Sequence, residues 1–335
     1  SNLLRTWDYF YNSGGWDDYP PQVYVHKEKM KAYTTPVANT AHQIRMAKIL
    51  KMAAQELNLE KDVTAYEKDI VMFGDALQKY SWDKKDEYFG FVLHDEQGIP
   101  KEIMRTEEGE NFNKGLGGCY PLVSGICTES QINVLLEHLK SDKQLWSSVG
   151  LTAVDQSASY YRNDGYWNGT VWMPHQWFFW KTMLDLGEAD FARLIATTGL
   201  DIWKRETEAT YNCFEHFDIE TGRGAGWHQF SGLSTPVTSW YSAYFMPGNL
   251  TTGFDIWTRN RYFNKDNSSL SVDLVLYETK PGAKSSIIAV MNPDYDYEVL
   301  LNNKEIHFRE FDKGCLSISI PLNKKKNNLE IVKIK

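Results

Sequence analysis

The chain lacks several features that would mark broad classes of protein. No segment approaches the roughly 20 consecutive apolar residues that a membrane-spanning helix needs, so the sequence predicts no membrane association. The four cysteines have none of the spacings of a metal site, and we expect free thiols, with a local bridge between Cys119 and Cys127 as the alternative. Apart from Lys324 to Lys326, the basic residues are scattered within a net charge of −8, which argues against a nucleic-acid partner.

Aromatic residues are abundant instead. They make up 14% of the 335 residues, with 12 Trp, and 42% of the chain is hydrophobic. This length and composition allow one large core and a smaller one. The aromatic content suits either a sugar-binding pocket or a tightly packed helical core.

An acidic loop lies near the start of the chain, at Ser13 to Pro20 (SGGWDDYP). The glycines of this segment allow a sharp turn and the proline stiffens the backbone, so a continuous helix is excluded there. Asp17 and Asp18 are therefore expected on a loop beside Trp16. Catalytic residues are frequent on such loops. The alternative is a solvated acidic turn beside a core tryptophan, because aspartate is a common turn residue.

A second acidic segment runs from Tyr211 to Phe230 (YNCFEHFDIETGRGAGWHQF). Glu215 has aromatic neighbours on both sides, and a turn-rich loop follows that ends at Trp227 and His228. An aromatic surrounding raises the pKa of a carboxyl group and neighbouring donors lower it, and active sites use both effects. The alternative is that Glu215 is the last-turn acid of a helix that starts near Asp201.

A third segment, GYWNGTVWMPHQW, combines tryptophans with amide side chains. Sugars stack their C–H faces on aromatic rings and place hydroxyls against amides and carboxylates, so this composition suits a carbohydrate pocket. We expect Trp167, Asn168, Trp172 and Gln176 to line it, together with Trp16, Asp18, Trp227 and His228. The alternative is a tryptophan-rich helix start in a large helical core.

These three segments, in this order, resemble the C-terminal catalytic part of the clan-G (α/α)6-barrel glycoside hydrolases, over residues 7 to 247. The closest likeness is to glycoside hydrolase family 63, which includes processing α-glucosidases and mannosylglycerate hydrolases. SGGWDDYP is similar to that family's acid segment, FEHFDIETG to its base segment and GYWNGTVW to its sugar-subsite segment. The resemblance implies that Asp17 is the general acid and Glu215 the general base.

The sequence departs from the family pattern in three respects. One extra glycine follows Ser13. Asn168 and Thr170 stand where the family has Arg and Pro, which removes a bidentate charged donor and leaves the substrate open. Almost nothing precedes the acid loop, whereas several barrel helices precede it in the family, so we expect the C-terminal part of a longer enzyme.

Hydrophobic periodicity predicts a mainly α fold followed by a small β domain. Up to about Pro247, apolar residues recur with the spacing of a helix. From Asn249 onward, apolar residues alternate with polar ones, as at Leu270 to Leu276. The predicted helices lie near residues 41–57, 63–80, 128–139, 174–186, 188–205 and 235–245. We therefore predict a catalytic (α/α)6-type barrel that lacks its first helices in residues 1–247, and an antiparallel β-sandwich in residues 248–335. An incomplete ring would expose apolar helix faces, so self-association and cover by an N-terminal part of the same enzyme both stay open.

The predicted function is a glycoside hydrolase that cleaves an α-glycosidic bond with inversion, and an α-glucosidase-like enzyme in particular. This chemistry needs a carbohydrate substrate, an acid for the leaving oxygen and a base for the water, and it calls for no metal or cofactor. The alternatives are a glycoside phosphorylase, for which Arg223 is the nearby cation, and a non-catalytic carbohydrate-binding fragment. The sequence does not distinguish a cytoplasmic, periplasmic or secreted bacterial location.

Overall fold

A computed structural model describes residues 1–6 and 16–334 of the chain. It is 37% helical and 25% strand, so the fold is mixed, and the prediction of a mainly α chain understated the strands. Some of the strands that were not predicted form short pairs between the helices. Each of these strands has too few residues for an alternating pattern to be visible in the sequence. The predicted turn at Gly14 and Gly15 lies outside the described residues.

The helices agree with the predicted helical periods, with extra short ones between them. They are α1 (Pro20–Lys27), α2 (Val37–Glu56), α3 (Glu60–Tyr80), α4 (Leu116–Ser124), α5 (Glu129–Lys140), α6 (Met173–Asp185), α7 (Ala189–Thr210), α8 (Ser231–Ser234) and α9 (Pro236–Phe245). A capping box begins α5, where Thr128 accepts from the Gln131 amide and the Gln131 side chain accepts from the Thr128 amide. Prolines occupy the first turns of α1 and α9, where a missing N–H costs nothing.

Short antiparallel strands lie between these helices. They are β1 (Thr34–Thr35), β2 (Trp82–Asp83), β3 (Tyr88–Phe89), β4 (Val92–His94), β5 (Pro100–Ile103), β6 (Trp146–Ser147), β7 (Gly150–Leu151), β8 (His216–Phe217) and β9 (Gly224–Ala225). β1, β4 and β5 form one sheet, and the others pair two by two, β2 with β3, β6 with β7 and β8 with β9. The last pair closes the loop that follows Glu215.

The strands after residue 248 form two antiparallel sheets. They are β10 (Asn249–Thr251), β11 (Ile256–Phe263), β12 (Ser269–Leu276), β13 (Lys284–Val290), β14 (Tyr297–Leu301), β15 (Lys304–Glu305), β16 (Phe308–Asp312), β17 (Cys315–Pro321) and β18 (Lys326–Lys333). One sheet has the order β10-β13-β17-β16 and the other β11-β12-β18-β14-β15. Buried residues of both sheets belong to one hydrophobic cluster.

The alternation in this region predicted the buried face correctly. Leu270 and Leu276 mark the ends of the β12 stripe, and every second residue between them is buried as well. Asn302 and Asn303 join β14 to β15 with φ angles of 53° and 62°. Two successive positive φ angles are those of a type I′ hairpin turn, in which asparagine is favoured.

The chain divides into two compact units. The first comprises Ser1–His175 with Thr210–Phe230, and the second Gln176–Ala209 with Ser231–Lys335. In the second unit, Asp185 of α6 accepts the amides of Phe254 and Asp255 at 2.8 and 2.9 Å, which ties helix to strand. These bounds differ from the predicted domains 1–247 and 248–335, because periodicity separates helix from strand and does not report contacts between them. That domain division stays a prediction.

In the first unit, α2 packs against α3 and α4. α4 is buried along its whole length, and Arg45 of α2 donates from Nε to the carbonyl of Val123 at 2.7 Å. This packing forms a helical base for the loops that carry the acidic segments. Among residues 1–6 and 16–334, no helix is long and apolar enough to cross a membrane.

Gly199 and Gly74 are helix glycines with opposite expected effects on stability. A Cβ on Gly199 of α7 would lie 2.5 Å from the ring of buried Trp240, so Gly199→Ala should lower the free energy of unfolding by about 1–3 kcal/mol. A Cβ on Gly74 of α3 would meet Ile126 at 3.5 Å, an ordinary contact. Gly74→Ala should therefore raise the free energy of unfolding by about 0.5–1 kcal/mol through helix propensity. Urea unfolding measures both, and equal effects would contradict the packing of α7 on Trp240.

Candidate active site

The acid loop is held in place by the residues that follow it. The Tyr19 hydroxyl donates to Asn113 Oδ1 at 2.6 Å inside the protein, and Asn113 Nδ2 donates to the Phe89 carbonyl at 2.7 Å. The carbonyl of Trp16 accepts from the Tyr19 amide at 2.9 Å and from Gln22 Nε2 at 2.7 Å. Asp17 and Asp18 therefore lie on a tight turn between Trp16, which is bonded to Gln22 of α1, and Tyr19, which is bonded to Asn113.

Asp18 joins the acid loop to the tryptophan-rich segment. Its Oδ1 accepts a hydrogen bond from the backbone amide of Trp167 at 2.6 Å, across 149 positions of sequence. The carboxylate is half-buried. A charge-assisted bond of this kind is about twice as strong as one between neutral groups, so it fixes the two segments against each other.

Four rings form a continuous stack across the site, which we call the aromatic column. Trp16 stacks on Trp167 with centroids 5.6 Å apart, Trp167 on Trp172 at 3.5 Å, and Trp172 on His216 at 4.9 Å. The interplanar angles are 28°, 10° and 21°. The aromatic column thus brings all three sequence segments together, as expected for residues of one site.

Two residues predicted to line the pocket are buried instead. Trp172 is 1% exposed, and its ring stacks with Trp167 and with His216, so almost none of its surface is left for a sugar. Gln176 is also 1% exposed and lies on α6 at the start of the second unit. The sequence pattern could not distinguish these two residues from the predicted pocket residues that are exposed. A polar or aromatic residue near the start of a helix can be buried or can line a pocket.

Glu215 lies on a loop and not in the last turn of a helix. α7 ends at Thr210, five residues after the last predicted helical position, Arg205. The next residue, Tyr211, has a φ angle of 58°, which is not helical. β8 begins directly after Glu215 and pairs with β9. Phe217 of β8 also exchanges backbone hydrogen bonds with Val171 at 2.9 and 3.0 Å. The helix-end alternative for Glu215 is therefore wrong.

Both carboxylate oxygens of Glu215 accept hydrogen bonds. The Tyr166 hydroxyl donates to Oε1, and the backbone amide of Trp227 donates to Oε2 at 3.1 Å. Gly226 makes the second bond possible. Its φ angle is 75°, and a Cβ there would lie 2.4 Å from Oε2.

The two candidate catalytic carboxyls are close enough to interact electrostatically. Burial raises the pKa of Asp17, and the charges of Asp18 and Glu215 raise it further. The pKa of Asp18 is also raised by burial, against the opposing effect of the amides of Trp167 and Tyr166 and the charge of Arg162. A raised pKa is what a general acid needs to keep its proton near neutral pH.

The remaining predicted residues lie around Glu215 and the aromatic column. The side chain of Trp227 is 60% exposed, next to the exposed His228, with ring centroids 5.3 Å apart. Asn168 is partly buried, and its Oδ1 accepts from the Tyr166 amide at 3.1 Å. Its amide oxygen thus fixes the loop, while its contact with a sugar stays a prediction. Across residues 1–6 and 16–334, no group of three or more His, Cys, Asp and Glu side chains could hold a metal ion.

The family comparison decides which class of protein this arrangement belongs to. Residues 8–231 match the model of the mannosylglycerate hydrolase MGH1-like glycoside hydrolase domain, which is more than half of the chain. The chain belongs to this glycoside hydrolase family. The resemblance to glycoside hydrolase family 63 is thereby confirmed.

Solved structures with a similar fold include the family 63 mannosylglycerate hydrolase from Thermus thermophilus. Its complex with glucose is 20% identical with a TM-score of 0.51, covering 66% of this chain and 52% of that one. Its complex with Tris and D-glycerate is 21% identical with a TM-score of 0.50, covering 62% and 46%. The neutral trehalase from Saccharomyces cerevisiae is 14% identical with a TM-score of 0.50, covering 64% and 39%. This glycoside hydrolase chain thus spans about half the length of the mannosylglycerate hydrolase or less.

Tyr166 is the contact of Glu215 that sequence reasoning missed. It stands inside the tryptophan-rich segment, between Gly165 and Trp167. Its partner Glu215 is 49 positions away, and no spacing rule relates the two. The only signal was its place within a segment already assigned to the site of a glycoside hydrolase.

Gly226 and Gly98 form a matched pair for testing the geometry around Glu215. Their φ angles are 75° and 77°, but nothing lies within 4 Å of a Cβ on Gly98. Gly98→Ala should therefore cost only the strain of a left-handed residue, about 1–2 kcal/mol. Gly226→Ala also pushes against the Glu215 carboxylate, so its loss should be larger by about 1 kcal/mol or more. Equal losses in urea unfolding would show that Glu215 does not lie against Gly226.

Proposed function

We propose that the chain carries the catalytic residues of a glycoside hydrolase that cleaves an α-glycosidic bond with inversion. Asp17 is the general acid that protonates the leaving oxygen, and Glu215 is the general base that takes a proton from the attacking water. The carrying observation is that the aromatic column runs from Trp16, next to Asp17, to His216, next to Glu215, and so joins two distant parts of the sequence. An inverting pair should stand about 6.5–9.5 Å apart, which leaves room for the water.

The different surroundings of the two carboxyls support this assignment of roles. Burial and two neighbouring carboxylates favour the protonated form of Asp17. Glu215 instead accepts from a hydroxyl and a backbone amide, contacts that suit a carboxylate. Two carboxyls placed in opposite environments are the usual basis for dividing acid and base roles.

The proposed sugar contacts follow from exposure. Trp16 and Trp167 are partly buried and Trp227 is exposed, so each has surface that a sugar ring could cover. Asp18, Asn168 and His228 supply polar edges. The proposed substrate is a small α-glycoside or oligosaccharide, and α-glucosides are the first choice within that class.

The finer fold assignment belongs to the same proposal. The similar solved structures include the trehalase and the family 63 hydrolase, and the chain covers about half of the latter. We propose that residues 1–247 contribute part of an (α/α)6 barrel and that residues 248–335 form a β-sandwich. The shared hydrophobic cluster of the two C-terminal sheets supports the second assignment. Cover of the barrel helices by another part of the enzyme, or by a second copy, stays a prediction.

Asp17→Asn and Glu215→Gln test the catalytic pair. Each should lower kcat on aryl α-glycosides by about 10²–10⁴-fold, because each removes one proton-transfer group while keeping the side-chain shape. Reducing-sugar release from α-glucosides, α-mannosides and trehalose identifies the substrate, and NMR of the first-formed anomer reports the stereochemistry. Asp294→Asn, an exposed acid of the second unit, serves as the control.

The outcomes of that experiment separate the alternatives. A first-formed product that keeps the substrate's anomeric configuration would refute inversion. Glycan binding without turnover by the wild type would favour a non-catalytic carbohydrate-binding role. Sugar phosphate released only in the presence of phosphate would favour a phosphorylase.

Asp18→Asn tests the role of Asp17 through the pH profile. A general acid is active below its pKa, so activity falls as pH rises through the Asp17 pKa. The Asp18 charge raises that pKa, so Asp18→Asn should move the basic limb of kcat/KM to lower pH. The asparagine keeps an oxygen to accept from the Trp167 amide. Asp294→Asn is the control for a distant charge change. If Asp18→Asn leaves the basic limb of kcat/KM where it is in the wild type, Asp17 is not the acid.

A further inference from the structure

Tyr166 is held by ring contacts on several sides. Its ring meets Trp172, His216 and Trp167 edge-on, with centroids 4.8, 5.0 and 5.9 Å away and interplanar angles of 73°, 77° and 77°. Edge-to-face contacts of this kind are favourable for aromatic pairs. The aromatic column therefore fixes the direction in which the phenol ring points.

The main chain of Tyr166 is fixed as well. Its amide donates to Asn168 Oδ1 at 3.1 Å, and its carbonyl accepts from Trp172 Nε1 at 3.3 Å and from the Thr170 hydroxyl. Both backbone polar groups of this residue thus have partners within the same segment. A side chain anchored in this way places its hydroxyl reproducibly, which a positioning residue requires.

The hydroxyl of Tyr166 meets one oxygen of Glu215, and the Trp227 amide meets the other. Two donors on the two oxygens fix the plane of the carboxylate. A carboxylate has about four lone-pair sites, so sites remain to accept from a water molecule. The orientation of those sites is set by Tyr166 on one side and by Trp227 on the other.

We propose that Tyr166 is the positioning residue of the general base, which orients the Glu215 carboxylate toward the attacking water. This rests on the proposed function of Glu215. Tyr166 acts through Glu215 and not by contact with the reacting atoms.

The surrounding charges are consistent with a neutral, donating phenol. Burial raises the pKa of Tyr166 well above its ordinary value, and the carboxylates of Glu215, Asp17 and Asp18 raise it further. The hydroxyl therefore keeps its proton over the pH range in which glycosidases work. His216 also faces this group, and burial lowers its pKa, so it stays neutral near pH 7.

Tyr166→Phe removes the hydroxyl and keeps the ring contacts. A hydrogen bond to a charged group contributes enough for kcat to fall about 10- to 100-fold, with KM changed less than about twofold. Tyr161→Phe, the same change on the same loop, is the control and should alter neither kcat nor KM.

A second readout does not depend on activity. Glutamate labelled with ¹³C at the carboxyl carbon gives one signal per residue, and Glu215→Gln identifies the signal of Glu215. Its chemical shift at a fixed pH should differ between Tyr166→Phe and the wild type, because the carboxylate loses a hydrogen-bond donor, and it should be unchanged in Tyr161→Phe. Thermal unfolding confirms that each variant is folded, and Tyr166→Met provides a second hydroxyl-free side chain if the phenylalanine variant does not fold.

The outcomes separate this proposal from the proposed function. An unchanged chemical shift overturns the role of Tyr166 whether or not the protein turns over a substrate. A changed shift in a protein with no glycosidase activity supports the hydrogen bond and refutes the proposed function. A rise in KM with kcat unchanged overturns the positioning role in favour of a direct sugar contact.

Discussion

The hydrogen bond from the Trp167 amide to Asp18 is the interaction on which the rest of the site depends. It fixes the acid loop against the tryptophan-rich segment across 149 positions of sequence. With that contact in place, Trp167 lies between Trp16 and Trp172, and Trp172 carries the stack to His216 beside Glu215. Asp17 and Glu215 therefore lie on loops that share one framework, although these loops are far apart in the chain.

The same contact explains how three acidic side chains coexist at a partly buried site. Like charges at close range disfavour ionisation, and burial strengthens that effect. Asp18 accepts from the amide of Trp167, and Glu215 from a hydroxyl and a backbone amide. Burial raises the pKa of Asp17, and the charges of Asp18 and Glu215 raise it further. Hydrogen bonds from neighbouring loops thus offset part of the repulsion among the three carboxyls.

The sequence predicted the helices, the alternation of the C-terminal strands and the segments of the site, because each depends on local spacing or residue type. The alternation from Leu270 is a signal of this kind. It could not predict that Tyr166 reaches Glu215, because that contact depends on how two loops fold together. Nor could it distinguish buried Trp172 from exposed Trp227, since tryptophan suits a stack interior and a sugar platform equally well.

Asn168 shows how one departure from the family pattern changes more than charge. Arginine has donors only, so it could not accept the Tyr166 amide as Asn168 Oδ1 does. The asparagine thus replaces a charged donor with an acceptor that braces its own loop. The nearby cation is Arg162, whose amide donates to the Asn168 carbonyl and whose guanidinium pairs with exposed Asp164. Positive charge therefore lies at an exposed position, paired with an acid, and position 168 itself is neutral.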